Sequence, residues 1–158
     1  MAPVSPAPQE LLPHAPPMVL LDTILDWSET MVSAELTVRP ETPFFELGLG
    51  VPAHIGIEWM AQTCGLFAGL EAKAAGRPVR LGFLLGTRRF QAERGWFVDG
   101  DRPRISAKLF FREEGMAVFD CAIDVAGVSA AKAQLTLYQP ADEASFLSDQ
   151  SGEQRFGE

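Results

Sequence analysis

The stretch Val51 to Gly76, VPAHIGIEWMAQTCGLFAGLEAKAAG, decides how this chain folds. From Ile55 to Leu70 its side chains are almost all apolar or small. The polar stripe of a helix with one face in water is missing until Glu71 and Lys73. One long helix over this stretch must therefore be wrapped on most sides. Pro52 suits a first helical position, where a missing N–H costs nothing, and Gly76 suits the left-handed residue that ends a helix. Within the apolar run stands one carboxylate, Glu58, with His54 one turn before it and Gln62 one turn after. The i, i+4 spacing puts all three on one face. A lone buried carboxylate is costly unless it is paired, hydrogen-bonded or protonated. Glu58 is thus either a working group or an anion resting near the positive end of the helix, where the macrodipole is worth about 0.3–1 kcal/mol.

Outward from the helix the pattern changes to strands. Met18–Trp27 follows the proline-rich LPHAPP segment, and Thr30–Arg39 alternates strictly, with Val32, Ala34, Leu36 and Val38 on one face. Pro40–Gly50, PETPFFELGLG, has the glycines and prolines of an irregular loop. After the helix, Arg80–Phe90 reads as a strand with Gly82 and Gly86 marking a bulge or a close backbone approach. Arg104–Arg112, Met116–Val125 and Ser129–Tyr138 follow as hairpin-linked strands. Their inward residues are Ile105, Ala107, Leu109 and Phe111, then Ala117, Phe119, Cys121 and Ile123, then Ala131, Ala133, Leu135 and Leu137. The order β-β-α-β-β-β-β predicts an α+β architecture in which a curved antiparallel sheet wraps one helix. The expected organisation is a disordered segment over 1–11, one domain over 12–140 and a disordered acidic tail over 141–158.

The chain has 158 residues and a net charge of −8, which argues against general nucleic-acid binding. The charge is uneven. From Lys73 to Arg112 ten basic residues stand against three acidic ones, a net charge of +7 that includes Arg88 and Arg89 and suits an acidic partner or a phosphate-bearing substrate. No apolar run reaches the length of a membrane span and no basic region precedes an apolar core at the start, so a cytoplasmic protein without membrane association is expected. Cys64 and Cys121 lack metal-ligand spacing and read as buried thiols.

Several stretches resemble the beta-hydroxyacyl-acyl-carrier-protein dehydratases of the hotdog fold. LPHAPPMVLLD (Leu12–Asp22) is similar to that family's N-terminal LPHR-P-LL-D signature, and Pro43–Phe45 to its approach to the active-site loop. VPAHIGIEWMAQ (Val51–Gln62) is similar to its PG-L-E-MAQ helix start, and FLLGTRRF (Phe83–Phe90) to the following strand. The likeness runs from Leu12 to Tyr138, and as a whole the chain resembles still more closely the predicted hotdog dehydratases that include aryl polyene pathway enzymes.

The resemblance implies a 3-hydroxyacyl-thioester dehydratase that needs no metal or organic cofactor. It implies a homodimer with an acyl carrier protein or coenzyme A thioester as substrate carrier, docking on Arg88 and Arg89. Glu58 occupies the place of the family's helix glutamate, which acts with a histidine from a G-H-F-P-G loop. Here that loop is ELGLG, with Gly48 where the histidine would stand. Elimination needs a base for the C2 proton and an acid for the departing C3 hydroxyl. A carboxylic acid in an apolar site suits the acid, Glu58. The two histidines of the chain, His14 and His54, are the candidates for the base. Backbone N–H groups at the helix start, around Ile55 and Gly56, could polarise the thioester carbonyl, and Gln62 could orient Glu58 or face the thioester. A thioesterase working through Glu58 and a non-catalytic acyl-thioester-binding protein are the competing readings.

Overall fold

The computed structural model describes residues 7–11, 19–79 and 82–139. Its main sheet has six antiparallel strands in the order β1-β2-β6-β7-β8-β4. These are β1 (Thr23–Trp27), β2 (Met31–Glu35), β4 (Phe83–Ala92), β6 (Arg104–Glu113), β7 (Met116–Val125) and β8 (Val128–Tyr138). Two-residue strands β3 (Val51–Pro52) and β5 (Trp96–Phe97) pair separately. The sheet curls around helix α2 (Gly56–Ala74), which buries Trp59, Met60, Leu66, Phe67 and Leu70. Each such side chain contributes about 1.5–3 kcal/mol by leaving water. This is the hotdog arrangement that the sequence predicts.

The helix begins later than its apolar run suggests. Val51 and Pro52 lie in β3, Ala53–Ile55 form a 3-10 turn, and the α-helix opens at Gly56. Pro52 therefore sits one residue before the 3-10 turn, opposite Trp96, and not inside the helix. The far end is as expected: Gly76 takes φ +70°, and the Arg77 N–H reaches back to the Ala72 carbonyl at 2.8 Å.

The strands are shorter at the start of the chain than their patterns. Residues 19–22 reach β1 in extended form with Leu20 and Leu21 buried, while Met18 lies outside the described residues. Beyond Glu35 the chain leaves the ladder but keeps its alternation. The Leu36 N–H bonds the Pro103 carbonyl at 3.2 Å and the Val38 N–H bonds the Asp101 carbonyl at 2.8 Å, so Val32, Ala34, Leu36 and Val38 are all buried. β4 begins at Phe83 and ends two residues past Phe90. In β6 the register slips between Leu109 and Phe111, which turns Phe111 outward instead of inward. The β6–β7 and β7–β8 hairpins each place two successive residues at positive φ, Glu114–Gly115 and Ala126–Gly127, as tight turns that match strand twist require.

Of the segment 1–11, residues 7–11 are described. Pro8–Leu11 form one helical turn, α1, and Leu11 is buried against α2, where a Cβ on Gly69 would stand 2.7 Å from the Leu11 carbonyl oxygen. Apolar burial at Leu11 outweighs the proline-rich surroundings. The tail over 141–158 lies outside the described residues.

Candidate active site

One face of α2 borders a cavity of about 660 Å³. Glu58, Ala61, Gln62, Gly65 and Ala68 line it from the helix, and Ala117, Phe119 and Leu137 line it from the sheet. The spacing of the helical set is three and four residues, one continuous stripe. Its small side chains leave the room that larger ones would fill. At one end stands Glu58, half-buried, in the first turn of α2. At the other stand Glu71, Arg77, Arg112 and Tyr138. From Glu58 to Glu71 the helix rises roughly 20 Å. Arg112 closes the distal end, donating to Glu71 Oε2 at 3.0 Å with its guanidinium 5.7 Å from the centre of the Phe67 ring. The cavity is thus apolar along its middle and polar at both ends.

Gln62 is almost fully buried, and its Oε1 accepts the Leu20 N–H at 2.9 Å. It ties the chain ahead of β1 to the helix while forming part of the cavity wall. Of the residues singled out in the sequence, Glu58 and Gln62 are the pair brought together on the cavity.

The others lie elsewhere. His54 is exposed in the 3-10 turn and does not line the cavity. Ile55 and Gly56 are also outside its lining. The Gly56 N–H donates to the Ala53 carbonyl, and a Cβ on Gly56 would stand 2.8 Å from Ile123 Cδ1. The Ala53 N–H is likewise taken, by the Gly95 carbonyl at 2.9 Å. His14 lies outside the described residues. Among the described residues no imidazole lines the cavity. Arg88 and Arg89 are exposed on β4, away from the cavity lining, with Arg89 at φ +56° where β4 slips against β8.

Sequence reasoning missed the distal group Glu71, Arg77, Arg112 and Tyr138. The stripe Glu58, Ala61, Gly65, Ala68, Ala72 is visible in the sequence as a helical period. The pairing of Glu71 with Arg112, 41 positions away, has no local signal.

A sheet curled around one buried helix, with a carboxylate of that helix on the wall of a cavity, defines a protein of the hotdog class. The chain belongs to the ApeP-like family of ApeP dehydratases, whose family model matches residues 6–148. It is 31% identical over 132 residues to the 3-hydroxyacyl-(acyl-carrier-protein) dehydratase FabZ of Streptococcus thermophilus, covering 81% of this chain and 91% of that one. The FabZ of Streptococcus sanguinis is similar to the same extent. Among solved structures, the dehydratase heterocomplex ApeI:P of Xenorhabdus doucetiae aligns with a TM-score of 0.87 and 28% identity, over 92% of this chain and 97% of that one. A hypothetical thioesterase of Streptococcus pneumoniae, solved with coenzyme A, shares the fold at a TM-score of 0.58 and 15% identity, over 73% of this chain and 83% of that one. The protein is therefore a dehydratase of the lyase kind. No helix among the described residues is long and apolar enough to cross a membrane.

Proposed function

We propose that the protein removes water from a 3-hydroxyacyl thioester carried on an acyl carrier protein, giving the 2-enoyl thioester, and that Glu58 handles the departing hydroxyl. The observation that carries this reading is the position of Glu58 at the head of the apolar cavity. In the forward direction a base takes the C2 proton, the C2–C3 double bond forms as the C3–O bond breaks, and the C3 hydroxyl leaves as water with a proton delivered through Glu58 as general acid. Gln62, fixed by Leu20, shapes the wall beside the carboxyl group. The carrier docks by charge complementarity on the basic segment that includes Arg88 and Arg89.

The base comes from a second hotdog subunit. Two features support this. The described cavity presents a carboxylate without an imidazole, and the similar ApeI:P structure is a heterocomplex. The pairing surface is the outer edge of β4, a ten-residue strand that pairs with β8 on one side and ends the sheet on the other. Leu84 and Leu85 are exposed there at 41% and 57%, and such an edge is a template for strand addition. A homodimer through the same edge would unite two copies that both lack the loop histidine, so a partner of different sequence is the better complement.

Intact-mass measurement on a 3-hydroxyacyl-carrier protein tests the reading, with the purified chain alone and with a hotdog partner that carries the loop histidine. Loss of water in the mixture, and its disappearance with Glu58→Gln, is the expected result. Release of the carrier thiol would make the protein a thioesterase. Full turnover by the isolated chain would return the base to His14 or His54.

A further inference from the structure

The chain has two cysteines, and they lie against each other. Cys64 projects from α2 and Cys121 from β7, both buried, with their Sγ atoms 3.6 Å apart. The same two elements are held together beside them by Phe67 and Phe119, whose rings meet edge to face at 5.4 Å. A disulfide needs an S–S distance of about 2.0 Å, so closure asks for roughly 1.6 Å of approach. Both side chains are almost fully buried, and Cys64 is the one of the two that lines the cavity.

We propose that Cys64 and Cys121 form an oxidation site in which a small hydroperoxide entering the cavity oxidises Cys64, and Cys121 then captures it as an intramolecular disulfide joining α2 to the sheet. With hydrogen peroxide, the Cys64 sulfur takes one oxygen across the broken O–O bond and becomes a sulfenic acid, and the other oxygen leaves as water. The Cys121 sulfur displaces the sulfenic hydroxyl, which leaves as a second water when it takes up the Cys121 proton. Two thiols lose two electrons in all, and the peroxide gains them. Burial pushes the Cys64 thiol up, and the neighbouring Cys121 adds to the effect. The attacking thiolate is therefore scarce at neutral pH, and the first step speeds up as pH rises. The second step is favoured by contact, because no diffusion separates Cys121 from the sulfenic acid. The bridge closes a loop between residues 57 positions apart and restricts the unfolded chain.

The test uses the full chain treated with hydrogen peroxide at neutral and at alkaline pH, alkylated, and analysed by intact mass and non-reducing peptide mapping. The readout is mass and not turnover, so it stands whether or not the catalytic reading holds. The expected result is loss of the mass of two hydrogen atoms, a linked peptide containing Cys64 and Cys121, faster formation at alkaline pH, and a higher unfolding midpoint that dithiothreitol reverses. Cys121→Ala should instead gain oxygen at Cys64. If that variant fails to fold, peptide mapping of the unaltered chain decides alone. Two free alkylatable thiols after treatment at both pH values would overturn the proposal, as would sulfinic acid at Cys64 with Cys121 still free.

Discussion

Leu20 and Gln62, 42 positions apart, are joined by a buried hydrogen bond of 2.9 Å from the Leu20 N–H to Gln62 Oε1. This bond couples the approach to β1 to the wall of the cavity, so one side chain serves both the fold and the site. Gln62→Leu keeps the volume but leaves the Leu20 donor buried without its acceptor. The expected loss is about 1–3 kcal/mol of stability, read by urea denaturation, and an unchanged midpoint would show that the bond is replaced by another.

Glu58→Gln retains size and hydrogen bonding but cannot deliver a proton. Turnover of a 3-hydroxyacyl thioester with the partner present should fall by about 10²–10⁴-fold, the usual contribution of a positioned acid or base. Circular dichroism and the unfolding midpoint should stay near those of the unaltered chain. Retained turnover would remove Glu58 from the mechanism.

His54 is exposed and off the cavity, and the proposed base resides on another subunit. His54→Ala and His14→Ala should therefore each fall well short of the loss of about 10²-fold that removal of a general base causes. A loss of that size in His14→Ala alone would place the base in this chain.

Gly50 adopts φ +114°, and a Cβ there would clash with the Phe97 carbonyl oxygen. Gly50→Ala thus combines a disfavoured backbone with a clash against backbone, which cannot rotate away. Destabilisation by more than about 2 kcal/mol is expected, measurable as a lowered unfolding midpoint or loss of soluble protein. Gly48, also at positive φ but with open space around it, should tolerate alanine better.

Leu85→Lys puts a charge on the outer edge of β4, a device that sheets use against edge pairing. Subunit association followed by analytical ultracentrifugation should weaken, with the fold of the single chain intact. Association of unchanged strength would move the interface to another face.

Much of this architecture is written in local pattern. The apolar run around Trp59 and Leu66 announces a wrapped helix, and the alternation at Val32, Ala34, Leu36 and Val38 announces a half-buried strand, because both signals need only neighbours in sequence. Glu58 was legible for the same reason: a lone carboxylate in an apolar helix stands out. What local pattern could not supply depends on long-range pairing. β3 and β5 are two residues each, too short to show a period, yet their pairing draws Val51 and Pro52 out of the helix. Leu11 is buried because Gly69, far along the chain, has no Cβ to exclude it. The 3-10 turn ahead of α2 has no local signal either, and it engages the Gly56 N–H that a simple helix start would leave open.

The strand order also sets a timetable for synthesis. β2 has no inner neighbour until β6 is made, and Ser33 and Arg104, whose side chains are hydrogen-bonded across that junction, are 71 residues apart. At a translation rate of about 5–20 residues per second, the β1–β2 hairpin waits roughly 4–14 s on the ribosome with its apolar face uncovered. Helix α2, which packs against β2 in the finished fold, is made within that interval. A nascent chain that stalls before Arg104 therefore holds a hairpin and an apolar helix without the strands β6, β7 and β8 that complete the sheet around them.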